Sequence, residues 1–215
     1  MRSYLRAGPV TAAYLAVLVV THVVLTRTGA FAPAQAWSST NVENLARHPL
    51  GSLASSLVFL SNGPTITAGT VAIVVVGVGG ALWWLESRHG LGTACAAFVG
   101  GHAGATAVTA LVILVAVRAG VYPAAVLAAP DVGVSYGAQA AAACVVALLP
   151  RWASVAGGAV LVAWPLLDAT WFGAVPDFTT VGHLVSAVLG FAVGLLVRRR
   201  SRASTRRTGS AGSNP

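Results

Sequence analysis

Two residues in this sequence have the type and setting for nucleophilic chemistry. Ser135 stands in Gly133-Val134-Ser135-Tyr136-Gly137, and His183 lies early in a later apolar run. A hydroxyl beside an imidazole is a nucleophile–base pair: the ring takes the proton as the oxygen attacks a carbonyl carbon, and water later releases the acyl group. The same five residues also have the Gly-x-x-x-Gly form that lets membrane helices pack closely. A Gly-x-Ser-x-Gly elbow of the α/β-hydrolase kind needs a strand before the serine. The preceding AAPDVGV lies between apolar helical runs, so that elbow is excluded.

The elements around these residues are membrane elements. Of 215 residues, 56% are hydrophobic and only 8% charged, a balance no soluble domain of this size has. Several runs approach the roughly 20 apolar residues that cross a bilayer as helix. The pattern predicts an all-α, polytopic membrane protein with six spans: Gly8–Leu25, Ile66–Leu85, Leu91–Val117, Val132–Leu149, Trp152–Trp171 and Thr179–Val197. Residues 1–200 form one transmembrane domain, and residues 201–215 a basic, disordered tail rich in Ser, Thr, Gly and Arg.

All thirteen basic residues are arginine. With the N-terminus inside, Arg2, Arg6, Arg88, Arg151 and six tail arginines fall on the cytoplasmic side, against Arg27, Arg47 and Arg118 outside. Ten against three orients the chain in the plasma membrane with both termini cytoplasmic. The tail arginines directly follow a span, a placement that suits anionic lipid headgroups and argues against a nucleic-acid partner. Cys95 and Cys144 sit in apolar runs without metal-ligand spacing. Neither a cofactor nor a metal is expected.

The first outer loop is long. Thr40-Asn41-Val42-Glu43 reads as a capping box with Thr40 as N-cap, opening a short helix that stops before Pro49. Leu50–Leu60 has the length of an interfacial or re-entrant segment, and Asn62-Gly63-Pro64 makes a turn.

Ionisable residues inside spans are functional candidates. With the orientation above, Ser135 and His183 lie at similar depths, each just below the outer start of its span. Gly182, Ser186, Gly190 and Gly194 recur every four residues, a small stripe for close helix contact, and Ala138, Ala142 and Ala143 share the Ser135 side of their helix with Gln139. In a regular helix the Gly133/Gly137 edge faces away from Ser135, so Gly133 belongs to a lead-in turn or that edge packs on another span. His102, set among glycines, reads as a tight-packing site with a hydrogen bond, and His22 as a satisfied or interfacial histidine. Asp168 reads as an interfacial carboxylate, Asp131 and Asp177 as loop or helix-start residues, and Glu86, Arg88 and His89 as a charge cluster in the inner loop. A haem or ion site would require His22, His102 and His183 paired at matched depths, which the spacing does not otherwise support.

In order and spacing these features resemble the rhomboid family of intramembrane serine proteases, closest to its divergent actinobacterial-type, rhomboid-like members. The matching residues are Gly133-Val134-Ser135 on the fourth span, His183 with Ser186 and Gly190 on the sixth, and Glu86 and Gly90 after the second. The resemblance covers Asn41 to Val197. It implies a six-helix bundle with a long outer loop between helices one and two. It also implies hydrolysis of peptide bonds in membrane-embedded substrates by a catalytic Ser135–His183 dyad. Two departures stand against it. The family's His-x-x-x-Asn in helix two, which supports the oxyanion, has no counterpart at Thr70–Val74, and Tyr136 replaces the glycine after the serine. An oxyanion donor is worth roughly 3–4 kcal/mol. Backbone N–H groups near Ser135, or Asn62, are the available substitutes. The alternative is a catalytically silent rhomboid-like protein that binds transmembrane helices.

Overall fold

The computed structural model describes residues 2–211, with side chains from Tyr4 to Ser201. α1 (Arg2–Ala7) leads into α2 (Pro9–Arg27), and three short helices, α3 (Phe31–Ser38), α4 (Val42–Arg47) and α5 (Pro49–Ser56), fill the long loop. α6 (Ala68–Ala72), a π-helical segment (Ile73–Leu82) and α7 (Trp83–His89) run on as one span, followed by α8 (Leu91–Arg118). A 3-10 turn (Ala124–Ala128) precedes α9 (Ser135–Leu148) and α10 (Arg151–Leu167). A two-stranded hairpin, β1 (Trp171–Phe172) and β2 (Val175–Pro176), precedes α11 (Phe178–Ala211). Four of these helices have the length and apolarity to cross a membrane: α2, Ala68–His89, α8 and the Phe178–Ser201 part of α11. α9 and α10 are apolar but shorter. α11 continues as helix to Ala211, and residues 212–215 of the expected tail lie outside the described ones.

The second span runs on from the expected Leu85 to His89, and two other expected boundaries move for a local reason. The fourth span starts at Ser135, not Val132, because Gly133 sits at φ +119° and cannot be helical. The fifth ends at Leu167 because Asp168 closes it three residues after Pro165, which leaves Trp171 in the hairpin. The capping box also shifts by one residue. Asn41, not Thr40, caps α4, its Oδ1 accepting from Asn44 N–H at 2.9 Å. Glu43 pairs with Arg47 at 3.5 Å instead of reaching back.

α9 is the axis of the bundle. It is buried on nearly every side, by α8, α10, α11 and the π segment, as its Ala-rich sequence allows. Its neighbours meet it with glycine: Gly77 lies against Ala138, Gly101 and Gly190 against Ala140, and Gly194 against Cys144 and Ala147. A Cβ at any of these would overlap the alanine rod. In a bilayer, where lipid is as apolar as the protein, such backbone approach is the attraction that remains between helices.

At the opposite end of the bundle from Ser135, Glu86 does structural work. Its carboxylate accepts from the N–H groups of Val10 and Thr11 at 3.0 and 2.8 Å and from the Thr11 hydroxyl at 2.7 Å. These are first-turn donors of α2 that have no helical acceptor. Gly90, at φ +81°, then turns the chain into α8. Glu86→Ala is expected to cost about 2 kcal/mol, read as an earlier midpoint in denaturant unfolding from detergent micelles.

Candidate functional site

α9 has 14 residues, a rise of about 21 Å, less than the roughly 30 Å hydrocarbon layer. Irregular backbone leads into its Ser135 end. Such backbone in a membrane protein needs protein partners, and the α3–α5 loop supplies them. Thr40 N–H donates to the Asp131 carbonyl at 2.8 Å, Asp131 N–H to Ser39 Oγ at 2.9 Å, and Gly133 N–H to the Ser56 carbonyl at 3.0 Å. Ser56 Oγ also meets His102 Nε2 at 3.0 Å, tying α5 to α8. His102 is thus a buried, hydrogen-bonded packing residue, as expected from its glycine setting. Ser39, Thr40 and Ser56 as partners of the serine loop were not singled out in the sequence, where a serine in a loop carries no such signal.

Asp131 is half-buried among these contacts. Burial pushes its carboxyl up to about 6, against the opposing pull of the Thr40 hydroxyl, which reaches Oδ2 at 3.2 Å. A carboxyl that holds its proton better folded than unfolded adds stability at low pH. That stability is lost as pH rises from about 4 to about 6. Asp131→Asn keeps an acceptor for Thr40 and removes the charge. The stability difference between the variant and wild type is expected to grow from near zero at pH 4 to about 1–2 kcal/mol in favour of the variant at pH 7.5, measured by thermal unfolding in detergent.

Ser135 opens α9 and lies in the wall of a mostly apolar cavity of about 370 Å³. The cavity runs between the second span, at Gly69, Ile73 and Gly77, and α10, at Leu161 and Trp164. Gly133 forms the lead-in turn, and Gly137 packs on Phe98 of α8, so both glycines leave the serine face clear. The N–H groups of Ser135, Tyr136 and Gly137 are first-turn donors without helical acceptors.

His183 lies in the second turn of α11, 6% exposed. Its Nδ1 is 2.9 Å from the Thr179 carbonyl. A carbonyl only accepts, so Nδ1 carries the proton and Nε2 keeps its lone pair. Among the described residues Nε2, itself buried, has no hydrogen-bond partner. Two rings hold the imidazole edge-to-face, Tyr136 at 5.2 Å and Trp164 at 4.8 Å between centroids. Gly182 makes room for the Tyr136 ring, which a Cβ there would strike. Tyr136 therefore does not project into the serine cavity; it packs on α11.

Ser135 and His183 are brought to the same end of the bundle, but no hydrogen bond joins them among the described residues. His183 lines a separate cavity of about 260 Å³, and Trp164 is in the wall of both. Trp164 is itself fixed, its indole N–H donating to Gln139 Oε1 at 3.1 Å. Gln139 Nε2 in turn donates to the Leu161 carbonyl at 2.8 Å. That carbonyl would ordinarily receive the N–H of residue 165, which is proline and has none. The readable signal was a proline four residues after Leu161 inside an apolar run, which demands a donor from elsewhere.

The remaining polar residues have local roles. Asp177 caps α11 through Thr180 N–H at 3.0 Å and also accepts Thr170 N–H at 2.8 Å, which fits its reading as a helix-start residue. Asn62 is turned to Gln35 and the Pro130 carbonyl. His22 packs edge-on to Phe31. Among the described residues no three His, Cys, Asp or Glu side chains are grouped to hold a metal ion.

The sequence profile of a family described as rhomboid-like protein matches residues 3–203. No curated protein and no solved structure matches the chain. The match spans nearly the whole chain, including the serine loop, the short α9 and the His183 helix: this is a membrane protein of the rhomboid-like family.

Proposed function

We propose that the chain is an intramembrane serine protease with Ser135 as nucleophile and His183 as general base. The observation that carries this reading is the state of His183. Its Nδ1–H is committed to Thr179, its Nε2 lone pair is unengaged, and its ring touches the same Trp164 that walls the Ser135 cavity. A rotation of Trp164 brings the two cavities, and the two residues, together. His183 Nε2 then takes the Ser135 proton as Oγ attacks the peptide carbonyl carbon. The oxyanion faces the first-turn N–H groups of α9, which stand in for the missing His-x-x-x-Asn. Collapse breaks the C–N bond, and the amine leaves with the proton from His183. Water, deprotonated by His183, then cleaves the acyl-serine. The apolar cavity between the second span and α10 suits a segment of a transmembrane substrate arriving from the lipid side. The site end is read as extracytoplasmic, with Arg198, Arg199 and Arg200 on the cytoplasmic side of the plasma membrane.

One observation favours a second reading. With Trp164 held by Gln139 in the wall of both cavities, and no hydrogen bond between Ser135 and His183 among the described residues, the chain as it stands has the form of a silent binder of transmembrane helices. Labelling of purified protein in detergent or liposomes with a fluorophosphonate probe separates the two. The protease reading expects wild type to label, and Ser135→Ala and His183→Ala each to lose at least about 100-fold of it. A folded wild type that stays unlabelled leaves the binding reading.

A further inference from the structure

α2 makes its main helix contacts with the π segment and α7, and at the end of the bundle away from Ser135 it leaves a groove against the start of α8. The groove has a volume of about 170 Å³. Leu82, Ala94 and Phe98 form its buried floor, and Val10, Leu91 and Cys95 its exposed rim. Two hydroxyls lie in its wall, and both are committed elsewhere. Thr11 donates to Glu86 at 2.7 Å and Tyr14 to the Leu57 carbonyl at 2.6 Å. What fills the groove must therefore be apolar. One helical turn with its side chains occupies roughly 400 Å³. The groove is too small for a helix and suits a hydrocarbon chain.

Charge at this end says which chain. Arg88 stands three residues before Leu91 of the rim, and Arg6 four residues before Val10; both are exposed. Tyr4 stacks on Trp83 at 4.7 Å, and the Trp83 indole N–H donates to the Tyr4 carbonyl at 3.0 Å, which fixes α1 and its Arg6 beside α7. Neither arginine has a carboxylate partner: the one ion pair among the described residues is Arg47–Glu43, in the long loop. Nor is a carboxylate available. Of the five acidic residues in the chain, Glu43, Asp131, Asp168 and Asp177 belong to the opposite end or its loops. Glu86 alone is near, and both its oxygens are turned to the first turn of α2, whose positive end offsets its charge. An apolar groove beside two uncompensated guanidinium groups has one complement in a bilayer, a lipid with a negative headgroup.

We propose that this groove holds one acyl chain of an anionic phospholipid, with the lipid phosphate on Arg6 and Arg88. The site lies at the end of the bundle away from Ser135 and does not depend on whether the chain hydrolyses peptides. Cys95 reports on it directly. It is the exposed one of the two cysteines and stands in the groove wall, whereas Cys144 is buried.

The test uses the full chain in dodecyl maltoside micelles with dioleoyl phosphatidylglycerol and dioleoyl phosphatidylcholine, which share their chains and differ in charge. Native mass spectrometry is expected to show one phosphatidylglycerol retained at least about 10-fold more tightly than phosphatidylcholine. Arg6→Gln with Arg88→Gln should erase that preference at an unchanged unfolding midpoint. Arg151→Gln, which removes a charge from the start of α10, should leave it in place. In a second arm, N-ethylmaleimide labelling of Cys95 should slow about 10-fold at phosphatidylglycerol ten times its Kd. Equal retention of the two lipids, or an equal loss in Arg151→Gln, overturns the site in favour of diffuse charge attraction. Retention that leaves Cys95 labelling unchanged overturns the groove as the seat of the chain. Protection by glycerol phosphate as strong as by phosphatidylglycerol overturns the lipid as occupant and leaves a soluble phosphate ester.

Discussion

Gly190→Ala is expected to prevent assembly of the bundle, a loss on the order of 4 kcal/mol or more. The added methyl would overlap the Ala140 carbonyl, carbon and Cα together, all backbone of the axial helix. Backbone cannot rotate away, as a leucine or phenylalanine side chain would. α9 and α11 would have to separate along the most extensive helix contact in the protein. Separation also draws Gly182 off Tyr136 and Gly194 off Cys144, so the stripe is lost as a unit. Gly100→Ala on α8 is the control, because a methyl there meets nothing within 4 Å. It should change stability by less than about 1 kcal/mol. Unfolding midpoints in mixed micelles, with gel filtration to detect aggregation, separate the two outcomes.

That stripe was legible because small residues every four positions have one use in a membrane helix. The long spans were legible for a similar reason: α8 and the apolar part of α11 need only length and hydropathy. His183 stood out because an imidazole in an apolar run is costly. What stayed hidden depends on distance across the fold or on one dihedral. Gly133 looks like any loop glycine until its φ of +119° delays the start of α9 to the serine. Glu86 reads as part of an inner-loop charge cluster, yet it caps a helix 75 residues away in the chain. Periodicity sets depth along a helix but not the rotation that decides which side chain stands between two others. So Ser135 and His183 could be placed at one level from sequence, and Trp164 between their cavities could not.

The residue that keeps Trp164 in place gives the second large effect. Gln139→Leu is expected to cost about 3 kcal/mol, because it strands two polar groups at once. The Leu161 carbonyl loses its 2.8 Å donor and the Trp164 indole N–H loses its 3.1 Å acceptor. Leucine fits the mostly apolar cavity wall, so the loss is polar and not a cavity effect. The damage should be local. Amide exchange should quicken from Leu161 to Asp168 at the end of α10, while α9 and α11 hold their protection. Pro165→Ala supplies the decisive comparison. Alanine restores an N–H four residues after Leu161, so the carbonyl no longer needs Gln139. In the double variant about 1–2 kcal/mol should return, an interaction energy that independent sites would not show. If Gln139→Leu costs the same with proline or alanine at 165, the Leu161 carbonyl is not what Gln139 serves. If the coupling appears, the proline in α10 and the glutamine in α9 are one device: a break in one helix repaired by its neighbour, with the tryptophan that walls both cavities held by the same side chain.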